Sequence, residues 1–210
     1  MFITLEGIEG SGKTTQIRHM AEFLEGKGYE CVITREPGGT KIGEKIRSIL
    51  LDPENKDMAA TVELLLYTAD RAQHAKELLH PSLSSKKMVL CDRYYDATVV
   101  YQGFARGLDI DLIYKLHQLI LKDLKPDMTI LLDLPAEMGL SRAWKQIENG
   151  TRTDFETRFE KEMLSFHQAV RKGYLELSGL EPERFRIIDA SKTEDQVRKE
   201  IIKLLTLELG

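Results

Sequence analysis

A segment near the amino terminus has the residue types and spacing that bind a phosphate group. Residues 7–14 read Gly-Ile-Glu-Gly-Ser-Gly-Lys-Thr, which fits the pattern G-x-x-x-x-G-K-[ST] between an apolar strand-like run and a helical pattern. The glycines let successive backbone N–H groups face one anion, and the start of the helix adds partial positive charge. Lys13 reaches the β- and γ-phosphates of a nucleotide, and the Thr14 hydroxyl is a magnesium ligand. The segment therefore predicts that the chain binds a magnesium nucleotide.

This loop alone does not distinguish kinases from GTPases, ATP-driven switches or motor domains. A GTPase typically carries N-K-x-D to recognise guanine. The nearest string in this chain, Asn55-Lys56-Asp57-Met58, has its acidic residue one place early and lies upstream of the third predicted strand. We therefore reject the GTPase interpretation.

Charged residues also follow two of the predicted strands. The third apolar run ends in Asp92 and Arg93, and the second ends in Arg35. Asp92 can hold magnesium through water, and the planar guanidinium of Arg93 can bridge donor and acceptor phosphates. The alternative is a structural ion pair of Asp92 and Arg93 that caps the strand. Two arginines and Lys13 at one sheet edge suit two phosphorylated ligands better than one.

The elements that position these residues form an alternating pattern. Each short apolar run rich in β-branched residues is followed by helical periodicity, which predicts an α/β fold with a parallel, doubly wound sheet. Ligands of such sheets bind at the carboxyl ends of the strands. The five predicted strands are Phe2–Leu5, Tyr29–Thr34, Met88–Cys91, Met128–Leu132 and Phe185–Ile188.

Two further segments have predicted boundaries. The stretch Met58–Leu79 predicts a long helix that Pro81 ends. A helix from Ala136 is expected to break near Asn149-Gly150, and another is expected over about Phe155–Leu177. The polar, glycine-containing gap between these two helices, at 147–153, predicts a mobile loop.

Composition limits the class of protein. A chain of 210 residues is long enough for one large domain, and we predict a single domain over 1–210. The formal net charge of −4 gives no broad basic field, so we expect no nucleic-acid or membrane partner. No apolar run approaches the ~18 to 20 residues that span a bilayer, and we expect a cytoplasmic location. Cys31 and Cys91 lie in apolar runs and are expected to be buried without a redox or metal role.

Several motifs together resemble the thymidylate kinase family, and the resemblance covers nearly the whole chain. It implies a P-loop fold of the nucleoside monophosphate kinase type, with a five-stranded parallel sheet and a mobile lid. It also implies a homodimer that uses ATP and Mg²⁺ to phosphorylate dTMP, giving dTDP and ADP in dTTP biosynthesis. The motifs that carry it are residues 7–15, Arg35-Glu36-Pro37-Gly38-Gly39-Thr40, Tyr67-Thr68-Ala69-Asp70-Arg71, Asp92-Arg93-Tyr94, Tyr101-Gln102-Gly103 and Asp133-Leu134-Pro135.

The resemblance assigns roles around the phosphates and the sugar. Glu9 matches a carboxylate that approaches the 3′-hydroxyl of the acceptor sugar, and Tyr101 matches an aromatic residue that crowds the 2′ position. Arg35 and Arg93 match residues that hold the acceptor phosphate, and catalysis falls to Lys13, Arg93 and a lid arginine. Thr14 and Asp92 are the expected magnesium ligands. ATP is expected to bind Gly7, Ile8, Glu9, Gly10, Ser11, Gly12, Lys13, Thr14 and Thr15.

The resemblance also assigns residues to the thymine base. Tyr67 matches an aromatic residue that stacks on the base, and Arg71 matches an arginine that binds a base carbonyl oxygen. Thr98 and Gln102 match polar positions that face the base. Tyr67 and Arg71 are four positions apart and so share one helix face. The alternatives are a core aromatic at Tyr67 or Tyr101 and a solvated helix charge at Arg71.

The lid, at about 142–156, is expected to supply a catalytic arginine. This chain has glycine at position 10, where other family members have arginine. It therefore resembles the subgroup of the family that takes its catalytic arginine from the lid. Arg152 is the first candidate because it occupies the polar loop, and Arg142 is the second. The alternative for each is a solvated helix charge. His74, His117 and His167 have no metal-like spacing, and we assign them no chemistry.

Two other functions remain open. One is a kinase of the same fold that acts on a deoxynucleoside or on another monophosphate. The other is a nucleotide-dependent switch that binds ATP and signals to a protein partner. Arg35 and Arg71 discriminate between these kinases, and loss of Arg35 would hardly matter to a nucleoside kinase because a nucleoside has no phosphate to hold.

Overall fold

The computed structural model describes residues 1–150 and 154–209, which contain a five-stranded parallel sheet. The strand order is β2-β3-β1-β4-β5, so β1 lies at the centre between β3 and β4. All five predicted strands are confirmed, and each ends one residue later than predicted, on a charged side chain. Their bounds are β1 Phe2–Glu6, β2 Cys31–Arg35, β3 Met88–Asp92, β4 Met128–Asp133 and β5 Phe185–Asp189.

Helices follow every strand, as the alternating pattern predicts. Segments of π-helix, in which hydrogen bonds reach one residue further than in an α-helix, follow α3 at Ala75–Leu79 and α5 at Val99–Ala105. Short 3₁₀ turns lie at Pro53–Asn55 and Asp154–Glu156. The α-helices are α1 Lys13–Gly26, α2 Lys41–Leu51, α3 Ala60–His74, α4 His80–Ser84, α5 Tyr95–Thr98, α6 Ile110–Leu121, α7 Ala136–Glu148, α8 Leu164–Leu180 and α9 Glu194–Glu208.

The three central strands, β1, β3 and β4, are buried on both faces because helices cover each side of the sheet, whereas the edge strands β2 and β5 expose Ile33 and Ile187. In β1, Phe2 packs in an apolar cluster with Val89 and Leu79, while Ile3 and Leu5 pack in a second, larger cluster. Strands with two buried faces need continuous apolar runs, which is why they are visible in the sequence. Cys91 is fully buried, Cys31 is half-buried, and both are free thiols.

The end that we predicted for the long helix is wrong. α3 passes through the π-helical segment Ala75–Leu79 into α4, which contains Pro81 and ends at Ser84. Pro81 lies in the first turn of α4, where a backbone N–H has no partner in the same α-helix. Proline is tolerated at that position, so it does not stop the chain from turning helically.

The start predicted for the helix after the lid is also wrong. The break at Asn149-Gly150 is confirmed, since α7 ends at Glu148 and Gly150 has a φ of 72°. However, α8 begins at Leu164 rather than near Phe155. Just before α8 the chain turns inward and buries Arg158, which donates to the Leu50 carbonyl oxygen and to Glu63. Long-range contacts, rather than helical periodicity, therefore decide its path.

Within the described residues, no helix has both the length and the apolar character needed to cross a membrane.

Candidate active site

The carboxyl ends of β1, β2 and β3 open into a cavity of about 520 Å³. This is the edge at which ligands of parallel α/β sheets bind. The register places Arg35 beside Asp92, so the two charged strand ends are adjacent as predicted. The cavity is lined by most of the predicted site residues, namely Glu9, Gly10, Ser11, Gly12, Lys13, Thr14, Thr15, Arg35, Tyr67, Arg71, Asp92, Arg93, Thr98, Tyr101 and Gln102.

The loop between β1 and α1 depends on glycine. Gly7, Gly10 and Gly12 have φ values of 138°, 69° and 92°, a region that residues with a side chain rarely adopt. A Cβ on Gly10 would lie 2.0 Å from the carbonyl oxygen of Gly139 in α7. Glycine at position 10 is therefore required for α7 to pack against this loop.

Lys13 is held at the base of the loop. Its Nζ donates to the carbonyl oxygens of Gly7 and Ile8, both at 2.9 Å, and to Ser11 Oγ at 3.2 Å. Burial and then the nearby Arg93 lower the pKa of Lys13 to about 8, although neighbouring carboxylates oppose this shift. The amine is thus a buried cation that an incoming anion would stabilise.

Two oxygen ligands meet next to Lys13. Thr14 Oγ1 donates to Asp92 Oδ2 at 3.0 Å. A hydroxyl and a carboxylate are the donors that Mg²⁺ prefers, and Mg²⁺ usually takes one or two protein ligands and completes its shell with water and phosphate oxygens. No group of three or more His, Cys, Asp or Glu side chains suited to a metal occurs in the described residues. The pair fits a magnesium ion carried by a nucleotide.

Arg93 projects into the cavity from an uncommon backbone conformation. Its φ is 68°, and its N–H donates to the Leu5 carbonyl oxygen at 3.0 Å. Its Nη2 donates to Glu9 Oε1 at 2.9 Å, and its guanidinium lies 4.8 Å from the centroid of the Tyr101 ring. Burial opposes its charge, but Tyr101 and Glu9 raise the pKa of Arg93 well above its ordinary value. Arg93 is therefore a fixed cation in the cavity wall.

Glu9 is the carboxylate at the centre of this group. Its Oε1 accepts from Arg93 and from the Tyr101 hydroxyl at 2.6 Å, and its Oε2 lies 3.1 Å from Nδ1 of His167. Burial opposes ionisation of Glu9, but Arg93, His167 and Lys13 together hold its pKa below the ordinary value. The cavity thus contains an ionised hydrogen-bond acceptor beside its cations.

The far end of the cavity is aromatic and polar. Tyr67 is half-buried there, and Arg71 is 1% exposed. Gln102 donates from Nε2 to Glu63 Oε1 at 2.7 Å, and Thr98 Oγ1 is buried and has no hydrogen-bond partner in the part of the chain that the structure describes. A planar ligand with polar edges would meet a ring and several hydrogen-bonding groups at this end.

A thymidylate kinase family model matches residues 5–201 of the chain. The chain belongs to the thymidylate kinase family. Among similar proteins, the thymidylate kinase of Desulfosudis oleivorans is 54% identical over 205 residues, which cover 98% of this chain and 96% of that protein. The thymidylate kinase of Desulforapulum autotrophicum is 55% identical over 210 residues, covering 100% and 92%. A crystal structure of thymidylate kinase from Ehrlichia chaffeensis is 35% identical with a TM-score of 0.77, covering 98% of each chain. The P-loop fold of the nucleoside monophosphate kinases is confirmed.

In this member of the thymidylate kinase family, Arg71 is bound from three sides. Its Nε donates to Glu36 Oε2 at 2.7 Å, and its Nη2 donates to the Tyr94 carbonyl oxygen at 3.1 Å. Its Nη1 lies 3.1 Å from Nε2 of His117. Burial and Arg71 lower the pKa of His117 to about 2, so this ring is neutral and accepts. These contacts exclude a solvated helix charge and leave further N–H groups on Arg71, which lines the cavity.

Arg35 differs from Arg71 and Arg93 because its side chain is exposed. Its Nη2 donates to both oxygens of Glu44, at 3.1 and 3.2 Å. An exposed ion pair contributes only about 0 to 1 kcal/mol. Arg35 can therefore leave Glu44 for a phosphate at little cost.

The structure describes one of the two candidates for the catalytic lid arginine. Arg142 donates to the carbonyl oxygens of Ala190 and Ser191, at 2.7 and 3.2 Å, and so contacts the loop after β5. Arg152 lies outside the described residues, together with its neighbours at 151 and 153. The catalytic lid arginine and the lid itself stay predictions. From the lid region, Gln146 and Glu156 line the cavity.

Sequence reasoning gave no role to the buried acids and histidines that contact the predicted site residues. Glu36 accepts from Arg71 and lies 2.8 Å from Nδ1 of His74. Glu63 accepts from Gln102 and Arg158, and His167 contacts Glu9. Glu36 stands inside a motif of the family and could have been found there. His167 gave no signal, because its partner lies 158 positions away.

Proposed function

We propose that this chain transfers the γ-phosphoryl group of ATP to dTMP and releases ADP and dTDP, in dTTP biosynthesis. The observation that carries the proposal is a single cavity with a phosphate loop at one end and an aromatic, polar wall at the other. Lys13, Arg93 and Arg71 all line that cavity. We assign them to the donor phosphates, the acceptor phosphate and the base, respectively. A donor nucleotide and a phosphorylated pyrimidine fit it together.

The donor end prepares the phosphoryl group for transfer. The backbone N–H groups of the loop receive the phosphates, and Nζ of Lys13 exchanges two carbonyl oxygens for anionic oxygens. Thr14 and Asp92 would hold magnesium, which when bound neutralises charge on the β- and γ-phosphates. These contacts stabilise charge that spreads over the moving phosphoryl group.

The acceptor end aligns the attacking oxygen. Arg93 and Arg35 hold the acceptor phosphate, Glu9 receives the 3′-hydroxyl of the sugar, and Tyr101 crowds the 2′ position. The acceptor phosphate is already anionic, so transfer needs no dedicated base. Holding donor and acceptor in line supplies a large part of the rate enhancement in such reactions.

Base recognition falls to the aromatic, polar end. Tyr67 stacks on the thymine, Arg71 donates to a ring carbonyl, and Thr98 and Gln102 face the remaining polar edge. Thr98 supports this assignment: its buried Oγ1 has no partner within residues 1–150 and 154–209, and a buried hydroxyl without a partner costs stability unless a ligand binds it.

The lid and the subunit arrangement are part of the proposal. We expect residues at about 142–156 to close over the nucleotide, to exclude water and to bring Arg152, or else Arg142, to the transferring group. A cytoplasmic homodimer is the expected form. Adjacent helices α3 and α6 support the dimer, since they expose the large apolar side chains of Leu65, Leu112 and Leu119.

A coupled assay of ADP formation tests the proposal. ADP should form with ATP, Mg²⁺ and dTMP, and only at background rate without an acceptor. Thymidine as acceptor tests for a nucleoside kinase, and dCMP, dGMP and UMP test for another monophosphate kinase. ADP formation independent of dTMP would refute the proposal, and so would a higher kcat/KM with any of these alternatives.

A further inference from the structure

A buried histidine on α8 contacts the acidic side chain of the phosphate loop. His167 is 0% exposed, and its Nδ1 lies 3.1 Å from Glu9 Oε2. The other carboxylate oxygen, Oε1, accepts from Arg93 and Tyr101. The direction of Oε2 therefore depends on His167.

The charge of Glu9 determines which atom donates the hydrogen bond between Glu9 and His167. Because the pKa of Glu9 is held below its ordinary value, the carboxylate is ionised and only accepts hydrogen bonds. Nδ1 of His167 must then carry the proton. Nε2 is buried and has no hydrogen-bond partner among the described residues.

Packing alone does not explain a histidine at this position. The ring is fully buried and packs edge-on against Phe166, with centroids 5.6 Å apart. An aliphatic side chain would fill the space without leaving a buried nitrogen unpaired, which is unfavourable. The contact with Glu9 is the gain that offsets this cost.

We propose that His167 is a positioning residue that orients Glu9 Oε2 toward the 3′-hydroxyl of the acceptor sugar. The proposal rests on the proposed function, in which Glu9 receives that hydroxyl. Arg93, directly after β3, Tyr101 in the segment Val99–Ala105 and His167 in α8 together hold both carboxylate oxygens, so the group is oriented before the nucleotide binds. An acceptor oriented in advance contributes more to binding than one that must be ordered.

The test compares dTMP with 3′-deoxythymidine monophosphate, which lacks only the hydroxyl. The measured quantity is the ratio of their kcat/KM values. His167→Leu should lower that ratio about tenfold, mainly through a higher KM for dTMP, because one hydrogen bond to a charged group is lost. The KM for the deoxy analogue should change by less than about twofold, within the error expected of such comparisons.

Two further variants separate positioning from packing. His167→Asn places an amide nitrogen close to the position of Nδ1 and should restore the ratio to within about threefold. In a Glu9→Ala background, His167→Leu should change the ratio no further, because a residue that acts through Glu9 has nothing left to orient. Thermal unfolding shows whether each variant is folded, and His167→Phe replaces His167→Leu if the latter is not.

The outcomes distinguish this proposal from the function on which it rests. If the unmodified enzyme forms no ADP with dTMP, the proposed function fails. If it turns over dTMP but His167→Leu leaves the ratio unchanged, or lowers kcat/KM equally for both acceptors, the role of His167 is overturned. An equal fall of the ratio in His167→Leu and His167→Asn also overturns it.

Discussion

Replacing Arg71 with alanine tests base recognition and the buried network behind it in one variant. Arg71 is 1% exposed and donates to Glu36 and to the Tyr94 carbonyl oxygen. Removing the guanidinium takes the arginine partner from the buried Glu36 carboxylate, which keeps its contact with His74. Breaking a buried ion pair in this way costs about 3 to 5 kcal/mol. At about 2 to 4 °C per kcal/mol for a chain of this size, Tm should fall by roughly 6 to 20 °C.

The same substitution should lower acceptor recognition by a separate amount. A base carbonyl left unpaired in a closed site costs about 1 to 3 kcal/mol, which is up to about a hundredfold in kcat/KM for dTMP. The KM for ATP should stay the same, because the hydrogen bonds of Arg71 go to Glu36, Tyr94 and His117 and not to the phosphate loop. Steady-state kinetics at saturating ATP, well below the lowered Tm, measure this loss. Arg71→Lys should recover only part of it, since a point charge does not reproduce the planar guanidinium.

Arg184→Ala is the matched control for stability. Arg184 is also buried and pairs with Asp96 at 2.6 Å, but its partners Asp96, Thr129 and Glu181 do not line the cavity. This variant should lose stability without changing kcat/KM for dTMP. A folded Arg71→Ala enzyme with unchanged kcat/KM for dTMP would remove Arg71 from the base site.

The remaining predictions concern the phosphate end. Lys13→Ala should abolish transfer while circular dichroism stays unchanged, and near-normal turnover would show that the assignment of Lys13 is wrong. Burial lowers the pKa of Lys13 to about 8, so the free enzyme loses this positive charge as pH rises. We therefore expect kcat/KM for ATP to decline above about pH 8. A pH profile that stays flat to about pH 9.5 would contradict this. Arg152→Ala should lower kcat far more than it weakens ATP binding. A large loss of kcat in Arg142→Ala together with a normal kcat in Arg152→Ala would instead make Arg142 the catalytic lid residue. Gly10→Ala should lower Tm by several degrees because its Cβ would lie 2.0 Å from the Gly139 carbonyl oxygen, and an unchanged Tm would show that α7 can move away.

The fold was predictable where local sequence decides the structure. All five strands follow from apolar runs, and for β1, β3 and β4 the reason is that a strand buried on both faces needs apolar side chains throughout. The phosphate loop follows from glycine spacing for an equally local reason. Helix ends are different: the inward turn before α8 depends on Arg158 contacting Glu63, 95 positions away, and helical periodicity carries no signal of such a contact.

The candidate site was predictable in its cavity-facing residues but not in their supports. Motifs identified Arg71, Gln102 and Glu9, and all three line the cavity. Their partners Glu63 and His167 lie behind the wall, where a buried acid or histidine in the sequence looks the same as any other. Only the packing of α3 and α8 against the cavity segments reveals them.

Buried carboxylates hold two of the cavity arginines in place, whereas Arg35 pairs with an exposed carboxylate. Glu36 and Glu9 hold Arg71 and Arg93 in place before any ligand arrives, so binding needs little reorganisation of those cations. Each carboxylate also balances the charge of its arginine, which lets the cavity remain stable without phosphate. Arg35 is paired only at the exposed rim, with Glu44, and a ligand phosphate can displace that partner. In the proposed reaction, the base and the transferred phosphoryl group would therefore meet preoriented groups, whereas Arg35 would change partners to hold the acceptor phosphate.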